Sequence, residues 1–262
     1  MFTRRSFVEK ILAVSTLPAL VSTGARGAAF SGSGNRSEAE DLKAIQRLLA
    51  GKEPLKWVFA GDSITQGAKH TFGYRSYPEI FAERVRWELR RVRDLIINSA
   101  ISGNTSADIL NDYEWRIGQF KPAVVSVFVG TNDSAVSRQI SPEKFRQNLD
   151  AIINNLRAGG AIPILHTPSI VITEKAVGRE SLPEYVRTIR ELAAEKGVIL
   201  VDNWDYWQKT AIESPEADLY RVWLNDELHP NGKGHLEIAQ LLFKKLSIFD
   251  PQSFTGGSAP FK

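Results

Sequence analysis

The chain contains no cysteine among its 262 residues. This absence excludes disulfide bonds, metal sites built on thiolates, a cysteine nucleophile and a lipoprotein anchor attached to cysteine. It is compatible with export of the protein in an already folded state.

A hydrophobic run long enough to cross a membrane is also missing from the N-terminal segment. The apolar stretch from Ile11 to about Val21 is too short and too rich in Ser and Thr for a comfortable span. It follows the paired Arg4 and Arg5, and small residues suited to a cleavage site come after it. The pattern resembles a twin-arginine export signal over residues 1–29. We therefore expect a periplasmic or secreted protein with no stable membrane span in its mature form, a disordered basic N-terminus being the alternative.

A strong excess of one charge is absent once that segment is set aside. Residues 1–27 hold four basic residues and one acid, and without them the 33 basic and 30 acidic residues of the chain fall to 29 of each. The remaining arginine cluster, within residues 84–93, alternates with Val85, Leu89 and Val92 at helical spacing. This alternation predicts a solvated helix face rather than a nucleic-acid patch, so no nucleic-acid partner is expected.

What the sequence does contain is a regular alternation of strand and helix patterns. Apolar runs typical of buried strands lie at 55–60, 95–100, 123–129, 162–166 and 198–202, and helical patterns separate them at about 76–92, from Ser141 onward, at 183–195 and at 234–246. Such strands alternating with amphipathic helices predict a parallel sheet covered on both faces. The expected fold class is therefore α/β, with three α/β/α layers and a doubly wound sheet of about five parallel strands.

The same patterns suggest how the chain is divided. Residues 28–40 are small and polar, as a linker would be, and a short amphipathic helix is predicted from about Glu38 to Ala50. We expect an export signal at 1–29, a linker with this short helix at 30–54, the main domain at 55–248 and a loose C-terminal tail at 249–262.

Polar motifs follow the ends of the predicted strands. GDSIT occupies 61–65, NSAISGN 98–104, GTNDS 130–134 and NDELHPNGKGH 225–235. In a doubly wound sheet, ligands bind in the crevice beyond the carboxyl ends of the strands. We therefore expect these four segments to line one site.

Ser63 offers a hydroxyl in the turn after the first strand, where it could act as a nucleophile. The alternative is structural, because Ser63, Asp62 or Thr65 could cap the helix that follows. GDSIT taken alone favours the cap, and it differs from the G-x-S-x-G elbow because Thr65 stands where the second Gly should be.

His229 could take the proton from such a serine. Asp226, three residues earlier, could hold the other imidazole nitrogen and favour the imidazolium that forms. The other three histidines, His70, His166 and His235, lack this Asp-x-x-His-Pro setting.

An oxyanion could be bound by three donors: the side-chain amide of Asn132 and the backbone N–H groups of Gly103 and Ser63. Taken singly, Gly103 is more often a turn glycine and Asn132 a turn cap.

Together, these motifs resemble the SGNH hydrolases, often called the GDSL esterase family. The match runs through GDSIT, the N-x-A-x-x-G of Asn98 to Gly103, GTND and DELHP, in the family's order, over about residues 57–246. The resemblance implies the flavodoxin-like fold of that family, Ser63 as nucleophile, Asp226 with His229 completing a triad, and Gly103 and Asn132 in the oxyanion hole. It implies acyl transfer through an acyl-enzyme, and no cofactor is expected.

Metal catalysis is a less favoured option. Asp62, Asp133, Asp226 and His229 could meet at the end of the sheet, but there is no H-E-x-x-H or comparable spacing. We expect no metal.

The substrate is harder to predict than the reaction. The export signal, the lack of a long apolar lid segment and the aromatic residues of NWDYW at 203–207 favour a carbohydrate O-acetylesterase acting on a poly- or oligosaccharide or another small ester. We expect Asp62, Trp204 and Trp223 to contact the substrate, and the segment at 169–181 to form a further wall of the cleft. The alternatives are a lipolytic esterase, lysophospholipase or thioesterase, and an inactive glycan-binding relative; for the aromatic residues, core packing remains open.

Overall fold

The computed structural model describes residues 36–213 and 218–257. The predicted export signal at 1–29 lies outside the described residues. No helix in the described part of the chain is both long enough and apolar enough to cross a bilayer.

One parallel sheet forms the centre of the fold. Its strands are β1 Lys56–Gly61, β2 Leu95–Asn98, β3 Val124–Phe128, β4 Ile162–His166 and β5 Ile199–Val201. They are ordered β2-β1-β3-β4-β5, and every neighbouring pair is parallel. The prediction of a doubly wound five-stranded sheet is confirmed, and each strand begins and ends within two residues of its predicted bounds.

Helices cover both faces of this sheet. They are α1 Glu38–Ala50, α2 Ser63–Gln66, α3 Tyr77–Glu83, α4 Ser106–Asn111, α5 Tyr113–Arg116, α6 Pro142–Ala158, α7 Leu182–Lys196, α8 Asn203–Glu213, α9 Leu219–Trp223 and α10 Gly232–Lys245. Helices α1, α3 and α10 contribute to the core on one face, and α4, α6 and α7 to the core on the other.

Strand β1 illustrates why both faces must be covered. Trp57 and Phe59 belong to the core on the α3 side, whereas Val58 and Ala60 belong to the core on the α6 side. Successive side chains of a strand point to opposite faces, so an unbroken apolar run is stable only between two layers.

Two helix starts follow their sequence signals. The hydroxyl of Ser141 accepts a hydrogen bond from the Lys144 N–H, and Pro142 occupies the first turn of α6. At α3, the carboxylate of Glu79 accepts hydrogen bonds from the N–H and hydroxyl of Ser76, each at 2.7 Å. Both arrangements satisfy polar groups that a helix end would otherwise leave unpaired.

The arginine cluster corrects the prediction of a uniformly solvated helix face. Arg84 is 6% exposed, and its Nε donates to the Ile248 carbonyl at 2.8 Å. The guanidinium of Arg91 donates to Asp94 and to the carbonyls of residues 49, 51 and 53. The helical period fails because α3 passes into a π-helical stretch at Arg84–Glu88 and the backbone then turns.

The C-terminal segment also differs from its prediction. Thr255 is 1% exposed, and its N–H and hydroxyl donate to the carboxylate of Glu88 at 3.0 and 2.5 Å. The prediction of a loose tail therefore does not hold at Thr255, which is held against the π-helical stretch. Residues 258–262 of that predicted tail lie outside the described part.

Candidate active site

Ser63 is the first residue of α2, which begins two residues after the last residue of β1. Asp62 caps this helix, because its carboxylate accepts a hydrogen bond from the Ile64 N–H at 2.9 Å. The hydroxyl of Ser63 is therefore not needed as a cap. Of the three residues that could cap this helix, Asp62 is the one that does, and the Ser63 hydroxyl is available to another partner.

That partner is His229. The Ser63 Oγ lies 2.9 Å from Nε2 of His229, and Nδ1 of the same ring lies 2.7 and 2.9 Å from the two carboxylate oxygens of Asp226. The side chain of His229 is 14% exposed. The three side chains form one continuous chain of hydrogen bonds, in the order that transfer of a proton from Ser63 to the imidazole requires.

Asp226 is fixed by its own loop. Its Oδ1 accepts hydrogen bonds from the N–H groups of Leu228 and His229, each at 2.8 Å. Partial burial raises the pKa of Asp226, but these hydrogen bonds and the one with the His229 side chain outweigh it, so the pKa lies below its ordinary value. An ionised Asp226 orients the imidazole and stabilises its protonated form.

The loop that holds this pair is closed at both ends. An antiparallel bridge joins Leu224 to Pro230, and the Asn225 N–H donates to the His229 carbonyl at 2.9 Å. Asn231 then caps α10 by accepting from the N–H groups of the next residues. The imidazole is thus carried by a short, hydrogen-bonded turn at the start of a helix.

The expected oxyanion donors lie at the same edge of the sheet. Gly103 has a left-handed φ of 82°, which suits glycine. The Asn132 side chain is 9% exposed and uses one N–H to donate to the Asn104 carbonyl at 3.0 Å, so its other N–H can serve a ligand. Within residues 36–213 and 218–257, no hydrogen bond is donated by the backbone N–H of Ser63 or Gly103.

A hydrogen bond joins the motif at 98–104 to GDSIT at 61–65. The amide of Asn98 donates to the Thr65 carbonyl at 2.8 Å, and its oxygen accepts from the Ala100 N–H at 3.1 Å. At Gly61, an added Cβ would lie 2.6 Å from the Phe128 carbonyl, so the ends of β1 and β3 approach too closely for a side chain there. These contacts fix the loop carrying Ser63 against its neighbours.

Comparison with known proteins places this arrangement in a family. The model of the GDSL-like lipase/acylhydrolase family matches residues 59–236. The chain belongs to this family. The resemblance that the four motifs indicated is confirmed.

Several known proteins are similar to the chain over different lengths. An uncharacterized protein of Mycoplasma pneumoniae is 33% identical over 135 residues, which are 50% of this chain but 14% of that protein. An acetylxylan esterase of Geobacillus stearothermophilus is 26% identical over 215 residues, covering 74% of this chain and 94% of its own. The crystal structure of an acetyl xylan esterase, AlAXEase, superposes with a TM-score of 0.63 at 26% identity over 72% of this chain and 98% of that one.

Two buried carboxylates lie beneath the site of this GDSL-family chain. Asp62 is 1% exposed, and burial, with the negative charge of Asp133 adding to it, raises the pKa of Asp62 to about 7. Asp133 accepts hydrogen bonds from the N–H and hydroxyl of Ser106 at 2.8 and 2.5 Å. The expectation that Asp62 contacts substrate is corrected, because its buried carboxylate is engaged in capping α2.

The two tryptophans expected to contact the substrate differ in burial. Trp223 is 5% exposed and packs between Tyr206, at a centroid distance of 6.1 Å, and Trp207, at 4.8 Å. Its ring faces are covered by protein, so Trp223 packs in the core rather than against a sugar. Trp204 is half-buried and packs on a small cluster that includes Leu228, the residue before His229.

The segment at 169–181 borders the site from two sides. The Ile172 N–H donates to the Glu227 carbonyl at 3.0 Å, beside Asp226 in the chain. At its other end, the Gly178 carbonyl accepts from the Val136 N–H at 2.9 Å, in the turn after GTNDS. The segment therefore connects the loop of Asp226 and His229 with the loop of Asn132.

His70 is a neighbour of His229 that sequence spacing does not indicate. Its ring stacks on that of His229 with a centroid distance of 3.7 Å and an interplanar angle of 13°. His70, Asp226 and His229 each have a potential metal-ligand atom within 4.8 Å of the others. Both nitrogens of His229 are already hydrogen-bonded, and the lone pairs of two parallel stacked rings do not point at a common position. A metal ion could therefore bind here only if the side chains of His70 and His229 moved.

Proposed function

We propose that this GDSL-family protein is an exported serine esterase that removes acetyl groups from poly- or oligosaccharides, with Ser63, His229 and Asp226 as its triad. The observation that carries the proposal is the continuous hydrogen-bonded chain from the Ser63 hydroxyl through the His229 imidazole to the Asp226 carboxylate. Two of the similar proteins are named as acetylxylan esterases, which supports an acetylated carbohydrate as the substrate.

The chemistry begins with attack of the Ser63 Oγ on the acetyl carbonyl while Nε2 of His229 takes the hydroxyl proton. The negative charge that develops on the carbonyl oxygen is stabilised by the Asn132 amide and the N–H groups of Ser63 and Gly103. The imidazolium returns its proton to the sugar oxygen as the ester bond breaks. Water then attacks the acetyl-enzyme with His229 again as base, and acetate leaves.

A lipolytic esterase or thioesterase is the second candidate. Phe72, Val136 and Val177 are each more than 70% exposed. Phe72 follows the short helix that carries His70, Val136 begins the short 3-10 helix after GTNDS, and Val177 belongs to the segment at 169–181. Exposed apolar side chains at a cleft favour binding of an acyl chain.

Turnover of 4-nitrophenyl acetate, butyrate and octanoate separates these candidates, together with acetate release from acetylated xylo-oligosaccharides. The acetylesterase proposal predicts a kcat/KM that falls as the acyl chain lengthens and release of acetate from the oligosaccharide. A preference for octanoate would favour the second candidate. Binding of the glycan without turnover of any ester would contradict both.

Export is tested separately on the full chain. Replacing the arginine pair, Arg4→Lys with Arg5→Lys, keeps the charge but removes the pattern of the twin-arginine signal. The proposal predicts that the wild type reaches the periplasm or medium and that the double variant stays in the cytoplasm. Equal export of both proteins would contradict the twin-arginine route.

A further inference from the structure

Two guanidinium groups stand beside the candidate oxyanion donors. Arg138 follows the GTNDS motif, and its side chain donates to the Gly103 carbonyl at 2.9 Å. An added Cβ on Gly103 would lie 3.4 Å from the same Arg138 nitrogen, so the guanidinium covers the backbone of this residue. Arg138 itself is exposed to solvent.

Arg179 approaches the same place from the segment at 169–181. Its Nε donates to the Thr131 carbonyl at 3.0 Å, one residue before Asn132. Partial burial lowers the pKa of Arg179, and the positive charge of Arg138 lowers it further. The Val136 N–H donates to the Gly178 carbonyl at 2.9 Å, so the segments that carry Arg138 and Arg179 are joined within two residues of both cations.

The acids around this pair do not neutralise it through direct contact. In the described part of the chain, neither Arg138 nor Arg179 forms an ion pair with a carboxylate. Glu227 and Asp62 act on Arg179 from a distance, and Asp62 is buried. Glu180 is turned back onto its own loop, where it accepts from the Gly178 N–H at 3.1 Å.

We propose that Arg138 and Arg179 form an anion-binding subsite for a uronate carboxylate, so that the preferred substrate is an acetylated acidic glycan. Each guanidinium spends one N–H on a backbone carbonyl and keeps others for a ligand, in the planar fork that matches a carboxylate. A carboxylate on the acetylated sugar, or on its neighbour, would relieve the repulsion between the two cations. This inference rests on the acetylesterase function proposed above.

A matched pair of substrates tests the subsite directly. Partially acetylated oligogalacturonates are compared with the same oligomers after methyl esterification, which removes the carboxylate charge and keeps the sugar and its acetyl groups. The wild type is expected to show a kcat/KM for acetate release about tenfold higher on the charged form, as charge-assisted hydrogen bonds of this kind allow. The preference should shrink as sodium chloride is added.

The variants are compared by the ratio of kcat/KM on the charged oligomer to kcat/KM on the methyl-esterified oligomer. A general loss of activity cancels in this ratio. Arg138→Gln with Arg179→Gln should bring the ratio to about one, by the same loss of charge-assisted contacts. Arg93→Gln is the control, since it removes the same charge from an exposed residue at the other end of the sheet, before β2, and should keep the wild-type ratio. Arg138→Gln alone, at an exposed position, should lower the ratio even where the double variant does not fold.

Two results would overturn the subsite: a wild-type ratio near one with acetate released from both substrates, or a ratio unchanged in the folded double variant. A role of the arginines in stabilising the oxyanion would give the second result, because it would slow both substrates equally. Failure of the wild type to release acetate from either oligomer or from acetylated xylo-oligosaccharides would instead overturn the acetylesterase proposal, and the subsite with it.

Discussion

Asp62 and Ser63 are adjacent in the chain, and their side chains divide the structural and chemical roles that the sequence left undecided. The carboxylate of Asp62 is buried and caps α2, while the hydroxyl of Ser63 meets the imidazole of His229. Because the cap is supplied by its neighbour, Ser63 can donate its proton to the imidazole without destabilising the helix end. The short helix therefore positions the hydroxyl and does not depend on it.

Asn132 gives a prediction at this scale. Asn132→Ala removes the amide that would meet the developing oxyanion, so kcat should fall by about 10²–10³-fold while KM changes little. Steady-state kinetics with 4-nitrophenyl acetate measure both constants. Asn155→Ala, at an exposed position on α6, is the control and should match the wild type. A KM effect larger than the kcat effect would remove Asn132 from the oxyanion site.

The buried carboxylate of Asp62 predicts a pH-dependent stability. Burial raises its pKa in the folded protein from 3.8 to about 7, so the folded state binds a proton that the unfolded state has released. The resulting stabilisation is complete below pH 3.8 and is lost as the pH rises through about 7. The free energy of unfolding of the wild type, measured relative to Asp62→Asn, should therefore fall across this range.

Asn retains an oxygen that can accept from the Ile64 N–H, so the cap remains in this variant. His166 and His235, whose pKa values burial lowers to about 3, contribute equally to both proteins and cancel in the difference. Urea unfolding at several pH values measures the difference. Parallel pH profiles of the two proteins would contradict the buried, protonated carboxylate.

The sequence predicts contacts between side chains that are close along the chain. Asp226 and His229 are three apart and meet within one turn, so their pairing is predictable from the sequence. The stacking of His70 on His229 is not predictable in this way, because it depends on how two segments distant in the chain meet. The burial of Trp223 depends likewise on α8 and α10 packing around it, which residue type alone does not reveal.

At the scale of elements, end signals and apolar runs predict most of the strands and helices. The central strands β1, β3 and β4 are buried between two layers almost throughout and must be apolar there, which makes their bounds visible in the sequence; the edge strand β2 is apolar but partly exposed. The pattern at 76–92 is the exception, since its period continues past the point where the regular helix ends. Arg84 and Arg91 then bind carbonyls of neighbouring segments, a role that depends on tertiary contacts.

Helix α6 offers a test of an end signal. Ser141→Ala removes the hydroxyl that accepts from the Lys144 N–H at 3.1 Å, and it should lower the free energy of unfolding by about 1 kcal/mol. Ser137→Ala, an exposed serine outside the longer helices, is the control and should change stability by less than about 0.5 kcal/mol. Urea denaturation measures both, and equal values for the two variants would contradict a capping role.

At the scale of the whole molecule, the strand order brings the four motifs together. In the order β2-β1-β3-β4-β5, the chain passes from β1 to β2 on one side and then crosses to β3 on the other side of β1. A crevice opens at such a switch point, and Ser63 follows β1 while Asn132 follows β3. The sequence predicts that these motifs share one edge of the sheet, but the distances between them require the folded structure.

The central claim is that Ser63 is the nucleophile of an esterase. It is tested most directly by kcat/KM for 4-nitrophenyl acetate in Ser63→Ala, with folding checked by circular dichroism and with Ser137→Ala as the matched control. Loss of the nucleophile should reduce kcat/KM by at least about 10⁴-fold, whereas the control should retain wild-type activity. A folded Ser63→Ala protein with activity near that of the wild type would contradict the claim.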